Sequence, residues 1–413
     1  MLVTLIPLFD EEMAVSAYSL FAQSKNFLLN PSLLGTGKND GAANIPGLDI
    51  IKKVGIECLT GGKEVFVEVN NISVFSDIEG QCEAAERDKI VLLMDHTITP
   101  DEMYVNRIKA LKEAGFELAI RKLAVQNFEK YRDILAQMDY ILLDHKKIDI
   151  TKAKIYFSNV YPNIKLCAGN VQNQEDFEEL KGQGGYHLYE GEFFRVPVTK
   201  GNAKVSPIKI NYIELLNLVN DADFELTKAA DVIGRDTALV ISLLKMVNRM
   251  AVNSEITSIR HAAAMLGQKE LKKWINTAVA RELCVDKPNE VMRLSLLRAK
   301  FAENLAPIFE KAIHSSELFL MGLFSVIDLI LDMSMEEALD MVKVSKDIKD
   351  ALVRKDGKFA SVLDFMLQYE NANWQEVSRQ MLLKDIDMNR VYDAYVESLQ
   401  WYRDLFAEIN IVS

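Results

Sequence analysis

The stretch GYHLYEGEFFRVP, residues 185–197, separates two patterns in the 413-residue chain. Upstream, apolar runs of strand length alternate with helical patterns, whereas nearly every downstream segment has the spacing of an amphipathic helix. The stretch itself predicts a short aromatic strand around Phe193 and Phe194, and the Gly, Ser and Pro residues after it predict a linker. We therefore expect an N-terminal domain over residues 1–200, a linker at 201–210 and a helical domain over 211–413.

Composition predicts a globular protein with 49% hydrophobic and 26% charged residues. The formal net charge of −12 argues against nucleic acid as a partner. The most apolar later run, residues 318–331, is too short to span a bilayer and contains Asp328, so we expect a core helix and no membrane contact. The cysteines form no CxxC pair, which indicates a reducing cytoplasm and no structural zinc. They are Cys58, Cys82, Cys167 and Cys284.

Repeated βα units are expected in the N-terminal half. Its first run, residues 2–9, lacks a basic region before it, and we interpret it as a buried strand rather than a signal peptide. Continuous apolar strands between helices are typical of a parallel sheet covered on both faces. About seven or eight such units fit a TIM-like (β/α)₈ barrel, whose active site would lie at the C-terminal strand ends. A doubly wound open sheet is the alternative.

The predicted strand ends carry few acids. A barrel that hydrolyses phosphodiesters with divalent cations needs carboxylates at several strand ends. Instead, the strand FELAI runs directly into Arg121 and Lys122. Asp144 and Glu190 are isolated acids, which we interpret as too few for a two-metal cluster. Three histidines near strand ends are interpreted as surface or structural residues rather than metal ligands: His96, His145 and His187.

Two segments of this half resemble the EAL domain, a barrel that hydrolyses cyclic di-GMP in bacterial signalling. They are the stretch at 185–197 and ALKEAGFELAI at 110–120. The resemblance implies that metal-binding and catalytic positions are altered in this chain. Ser19, Leu93 and Gln172 stand where the family has glutamates, and Arg121 and Lys122 stand where it has paired aspartates. Glu68 replaces an asparagine and Glu190 replaces a glutamine. Leu142 replaces a lysine just ahead of Asp144, which is retained.

The cationic pair of Arg121 and Lys122 leaves two interpretations open. Its charges are either solvated or paired with acids such as Asp144, or they form a metal-free anion pocket that still binds a nucleotide phosphate. Both interpretations exclude a conventional metal site at these two positions, because cations repel the metal ions that aspartates would hold.

The segment SIRHAAAMLGQKELKKWI, residues 258–275, resembles the HDOD domain, a helical relative of HD-type phosphohydrolases. The resemblance extends over roughly residues 205–400. FLMGLFSVID, residues 319–328, is similar to the segment that carries a His-Asp doublet in the hydrolases. Ser325 and Val326 stand at those two positions, and the sequence contains no His-Asp dipeptide. His261 and His314 are too isolated to replace the doublet.

Together, the resemblances imply a non-catalytic bacterial signalling adaptor without cofactor or metal, linked to cyclic di-GMP and acting through protein partners of its helical domain. The alternatives are a receptor that binds cyclic di-GMP without hydrolysis and an active phosphodiesterase. The aromatic last helix, residues 391–406, is expected to dock on the helical domain, with a homodimer contact as the alternative. Four methionines mark either a partner groove or ordinary core: Met246, Met250, Met265 and Met321.

Overall fold

The computed structural model describes residues 1–24, 45–82, 84–195, 207–221, 223–250 and 256–410. Residues 30–44, whose Gly, Asn and Pro content predicts a loop, therefore lie outside the described residues, as does most of the predicted linker. Two compact units are present: Met1–Val196 with Leu367–Gln400, and Pro197–Met366 with Trp401–Ser413. We call them the barrel unit and the helical unit. The predicted domain limits stay a prediction, although residues 367–400, expected in the helical domain, pack in the barrel unit.

Eight strands close a barrel in chain order, which confirms the barrel and excludes the doubly wound alternative. Every strand carries buried apolar side chains, and most strands consist largely of them, as expected for strands covered on both faces. The strands are β1 Leu2–Phe9, β2 Val15–Gln23, β3 Glu64–Glu68, β4 Ile90–Asp95, β5 Glu117–Arg121, β6 Tyr140–Asp144, β7 Lys165–Val171 and β8 Leu188–Gly191.

β1 departs from the parallel sheet that the sequence predicted. It runs antiparallel to both β2 and β8, whereas the neighbouring pairs from β2 to β8 are parallel. The turn at residues 10–14 between β1 and β2 is too short for the crossover that parallel neighbours need. The side chain of Asp10 closes this turn by accepting a hydrogen bond from Ala14 N at 2.9 Å.

The prediction of an aromatic strand around Phe193 and Phe194 is wrong. β8 ends at Gly191, and a 3₁₀ turn follows over Phe193–Arg195. A side chain at Gly191 would lie 1.9 Å from Val171 O, so only glycine allows this approach to β7. The Phe193 ring then stacks on Phe177 at 4.7 Å, which turns the chain out of the sheet.

Helices cover the barrel between the strands. The helical spacing of residues 127–137 predicts a longer helix than the one turn present, Arg132–Leu135, which follows a 3₁₀ segment at Val125–Asn127. The helices of this part are α1 Pro46–Val54, α2 Ile56–Thr60, α3 Ile78–Gln81, α4 Glu102–Glu113, α5 Arg132–Leu135, α6 Ile150–Val160 and α7 Gln174–Gln183.

From Pro207 onward the described chain is helical, as predicted. The helices are α8 Pro207–Val219, α9 Leu226–Ile233, α10 Thr237–Met250, α11 Ile259–Leu283, α12 Asn289–Leu305, α13 Ser315–Leu323, α14 Ile327–Leu331, α15 Met335–Met341, α16 Lys346–Lys349, α17 Ala360–Glu370, α18 Trp374–Leu383 and α19 Met388–Asn410. The serine that opens the helical pattern at 258–266 predicts an N-cap, and Ser258 caps α11 by accepting from His261 N at 3.4 Å. The glycine that ends this pattern predicts a break, and Gly267 is a left-handed residue with φ 74° inside α11.

The apolar run expected as one core helix is divided into α13, a 3₁₀ turn and α14. Its apolar side chains, including Leu318 and Met321, are buried in the helical unit. By length and composition alone, Ala312–Leu331 is the one stretch of the described residues that could cross a membrane. Buried core helices of soluble proteins meet the same criteria.

Candidate functional site

The C-terminal ends of β2 to β8 meet at one end of the barrel, which we call the mouth. Ten buried side chains fill the interior below it: Leu8, Ala17, Phe66, Val91, Leu93, Ala119, Tyr140, Leu142, Cys167 and Leu188. Because side chains alternate along a strand, the residue two positions further on faces the same way. This step defines the mouth layer, whose side chains are those of Ser19, Glu68, Asp95, Arg121, Asp144 and Glu190. On β7 the same step reaches Gly169, which has no side chain.

Two of the predicted positions, Leu93 and Leu142, lie in the interior below this layer, with exposures of 2% and 6%. They are apolar and offer no atom to a metal ion. The acids of the same strands at the mouth layer are Asp95 and Asp144. Asp95 was not predicted as a site residue. The sequence alone does not show which face of β4 points into the barrel, so it does not show that Asp95 points inward.

Arg121 forms the central contact of the mouth layer. Its guanidinium makes an ion pair with Glu68, and its side chain is only 13% exposed. The guanidinium also lies over the Phe21 ring, 5.0 Å from the centroid, a contact the sequence did not suggest. Burial lowers the pKa of Arg121, and the charge of Glu190 opposes that shift. The observed acid partner is thus Glu68, not Asp144.

Glu190 and Ser19 bring buried polar atoms to the mouth layer. Neither Glu190 Oε2 nor Ser19 Oγ has a hydrogen-bond partner among the described protein atoms. Burial raises the pKa of the Glu190 carboxyl, and the charges of Arg121 and Lys122 partly offset it. Lys122 itself is exposed, and its backbone lies in the left-handed region with φ 58°. A protonated Glu190 would be a hydrogen-bond donor rather than a metal ligand.

Asp144 is held by neighbouring side chains. Its Oδ1 accepts from Asn170 Nδ2 at 3.0 Å, and its Oδ2 lies 3.0 Å from Lys147 Nζ. Burial would raise the pKa of Asp144, but these contacts outweigh it and lower the pKa. Gln172 is turned to Asn170, whose Oδ1 accepts from Gln172 Nε2 at 2.6 Å. Asp144 is therefore an ionised carboxylate with its charge already balanced.

The predicted loop histidines do not converge. His145 Nδ1 lies 2.9 Å from Gly169 O, and its Nε2 lies 3.6 Å from Asp176. Burial lowers the pKa of His187, which disfavours its charged form. Within the described ranges, no group of three or more His, Cys, Asp or Glu side chains is arranged to hold a metal ion.

The positions at which the hydrolases carry a His-Asp doublet are packed rather than polar. Val326 is 2% exposed, and Ser325 donates from Oγ to Gly322 O at 2.6 Å. Ser325 Oγ also accepts from Arg298 Nη1 at 3.1 Å. At Gly322, an added Cβ would lie 2.2 Å from Arg298 O, so α12 and α13 are in direct backbone contact here.

The surfaces proposed for partners have mixed outcomes. Met321 is buried core, whereas Met265 is 43% exposed and Met246 is half-buried. The side chain of Met250 lies outside the described residues. The three methionines with described side chains differ too much in burial to define one groove. A homodimer contact and a protein partner stay predictions.

The last helix, α19, contributes to both units. Trp401 packs on Phe319 in the helical unit, with ring centroids 6.1 Å apart. Tyr395 instead packs on Tyr369 in the barrel unit, at 5.1 Å. The expected docking on the helical domain therefore describes only the end of the helix.

Comparison with protein families identifies part of the second half. Residues 207–355 match the family model described as the HDOD domain. In chain order, an eight-stranded barrel is therefore followed by an HDOD domain, and the resemblance drawn from residues 258–275 is confirmed.

Two curated relatives extend across both halves. The chain is 26% identical over 324 residues to the cyclic di-GMP phosphodiesterase CdgJ of Vibrio cholerae, covering 77% of this chain and 74% of the relative. It is 28% identical over 410 residues to the uncharacterized protein YuxH of Bacillus subtilis, covering 97% of both chains.

Solved EAL structures also match part of the chain. One is a standalone EAL protein from Vibrio cholerae with bound c-di-GMP. The match covers 47% of this chain and 90% of that protein, with 17% identity and a TM-score of 0.36. Another is the EAL enzyme Bd1971 in its cGMP-bound form. The match covers 59% of that protein, with 12% identity and a TM-score of 0.32.

Proposed function

We propose that this chain is a signalling protein linked to cyclic di-GMP, whose barrel does not hydrolyse the nucleotide and which acts through protein contacts. The ion pair between Arg121 and Glu68 carries this proposal. A two-metal phosphodiesterase needs free carboxylates at the strand ends to hold its cations. Here a guanidinium occupies the mouth layer and already neutralises one of those carboxylates.

The other acids of the mouth layer support the same proposal. Asp144 is balanced by Lys147 and Asn170. Asp95 accepts from the hydroxyl of Thr97 at 2.6 Å. Burial raises the pKa of Glu190, which disfavours the ionised form that a divalent cation needs. Each acid would have to give up a contact or a proton before it could bind a metal ion.

An active phosphodiesterase is the second candidate, and two observations favour it. The Vibrio cholerae relative is named a cyclic di-GMP phosphodiesterase. Asp95 also adds a fourth acid to the mouth layer that the sequence had not counted. A metal-free receptor is a weaker third candidate, because a nucleotide phosphate would have to displace Glu68 from Arg121.

A hydrolysis assay separates the first two candidates. The full chain is incubated with cyclic di-GMP and Mg²⁺ or Mn²⁺, and the nucleotides are separated by chromatography beside an active EAL phosphodiesterase. We expect no linear product above the buffer control. Metal-dependent hydrolysis that Asp95→Asn and Asp144→Asn abolish would overturn the proposal and establish the enzyme.

Thermal unfolding with cyclic di-GMP tests the receptor. Ligand at ~100 times its dissociation constant would add about 2.7 kcal/mol to the free energy of unfolding. We expect no shift in Tm with or without metal. A metal-independent shift that Arg121→Ala/Lys122→Ala removes would replace the adaptor by a receptor.

A further inference from the structure

Residues Leu367–Gln400, which we call the C-terminal segment, follow the HDOD match at 207–355 and belong to the barrel unit. The segment contains the end of α17, all of α18 and most of α19. Neither the barrel pattern nor the HDOD match accounts for it, so its function needs a separate explanation.

Three hydrogen bonds attach this segment to β1 and β2. The fully buried Tyr369 accepts from Val3 N at 3.1 Å. Thr4 Oγ1 donates to Glu370 O at 3.3 Å. Gln23 Nε2 donates to Ser378 Oγ at 3.4 Å, and both of these residues are buried. Buried polar contacts of this kind are costly to break, because each break removes a hydrogen bond that water cannot readily replace.

The attachment lies at the mouth end of the barrel. β2 pairs with β3 only over residues 17–20, so residues 21–23 extend beyond the closed barrel at its C-terminal end. Because β1 is antiparallel, its first residues pair with this extension, with Thr4 opposite Phe21. The segment thus docks at the end where the mouth layer lies.

The docking surface is also continuous with the barrel interior. Phe21 and Gln23 follow Ala17 and Ser19 at the two-residue spacing that keeps side chains on one face. Thr4 lies opposite Phe21 and therefore shares that face. Glu370 and Ser378, which bond to Thr4 and Gln23, consequently lie on the mouth side of the extended strand pair.

A third attachment comes from the chain that follows β8. Arg195 makes an ion pair with Glu370 at 2.5 Å and donates to Asn371 Oδ1 at 3.0 Å. The two paired side chains are 16% and 15% exposed, so water screens this pair only partly. The segment is therefore fixed to β1, β2 and the chain after β8, all of which border the mouth.

We propose that the C-terminal segment is a built-in support of the β1–β2 extension at the edge of the barrel mouth, and that it thereby holds Arg121 in its pair with Glu68. The segment fixes Thr4, Thr4 pairs with Phe21 across the strands, and the Phe21 ring lies under the Arg121 guanidinium. Release of the segment frees the β1–β2 extension and removes the ring that supports Arg121. This inference does not depend on which nucleotide, if any, the barrel binds.

The test compares Glu370→Arg with Glu397→Arg in the full chain. Both changes reverse a charge on the same segment, but Glu397 is exposed on α19 and serves as the control. Hydrogen exchange followed by mass spectrometry reports opening at residues 2–4 and 21–23. Phenylglyoxal modification, read in the same digests, reports access to the Arg121 guanidinium.

In Glu370→Arg, exchange at both strand ends and modification of Arg121 are expected to rise roughly five- to tenfold, as for loss of one partly buried pair. Glu397→Arg leaves both at the wild-type level. If hydrogen exchange at these strand ends is unchanged in Glu370→Arg, the segment does not dock on β1 and β2 in solution and the proposal is overturned. Faster exchange with unchanged Arg121 modification would overturn the coupling to Arg121.

Tyr369→Phe provides the same two measurements if charge reversal prevents folding. It removes only the oxygen that accepts from Val3 N and keeps the buried ring. Exchange at residues 2–4 and Arg121 modification are expected to rise together in this variant. If neither exchange nor Arg121 modification rises, the proposed support of the β1–β2 extension is overturned.

Discussion

The barrel mouth and the doublet positions of the helical unit differ in how they depart from a hydrolase. At the mouth, Arg121 is paired with Glu68 among further acids, and the layer stays polar. In the helical unit, Val326 is buried and Ser325 anchors Arg298 where two helices touch. The mouth keeps groups that can titrate and exchange partners, whereas the doublet positions have become part of a core. We therefore expect substitutions to cost stability in the helical unit and to change electrostatics at the mouth.

The largest effect is expected for Gly322→Ala. Its Cβ would lie 2.2 Å from the backbone oxygen of Arg298, so α12 and α13 must separate. We expect a loss of about 3 kcal/mol in the free energy of unfolding, measured by urea denaturation. Gly182→Ala in α7 is the control, since nothing lies within 4 Å of its Cβ. A neutral Gly322→Ala would show that this contact is not a packed core.

Ser325→Ala tests the same region more gently. It removes the hydroxyl that accepts from Arg298, whose side chain is 7% exposed. A loss of about 1–2 kcal/mol is expected in the same measurement, because a buried donor loses one partner. Ser325→Thr keeps the hydroxyl and should recover part of the loss. Equal stability of Ser325→Ala and wild type would remove the distinction drawn between the two regions.

Arg121→Ala is expected to cost less, about 1 kcal/mol or below. Glu68 is 43% exposed and water can solvate it once the partner is gone. A double-mutant cycle with Glu68→Ala measures the coupling directly, and the coupling should shrink in high salt. A coupling well above that of exposed pairs would mean that the mouth is a core like the doublet positions.

Glu190→Gln is expected to have the smallest effect, and its sign depends on pH. Burial raises the pKa of Glu190, so ionisation destabilises the fold above its folded pKa. The variant should therefore have a higher Tm at neutral pH. This gain should fade as the pH falls through the folded pKa and disappear below the ordinary value of 4.5. A gain that persists at low pH would have another cause, such as repacking.

Much of the fold follows from local sequence patterns. Apolar runs of strand length between helical patterns predicted the eight barrel strands except for the turn at Phe193 and Phe194. The serine cap at Ser258 and the break at Gly267 fixed the ends of the helices in the HDOD segment. These features are local, because a strand face, a cap or a left-handed glycine depends on residues within one or two turns.

The contacts of the candidate site are not local. Arg121 and Glu68 are 53 residues apart and meet only because the barrel closes. Asp95 joins them because strand alternation, seen in the closed barrel, turns it inward. Charge along the chain could indicate that a cation faces the mouth, but it could not name the partner.

By itself, the sequence determined the two-part architecture and the residue types available at each strand end. The tertiary structure decided the direction of β1, the partner of Arg121 and the packing of the C-terminal segment on the barrel. An amphipathic pattern shows that one face of a helix is buried, but not against which element. That choice depends on contacts such as Tyr369 with Val3, which are 366 residues apart in the chain.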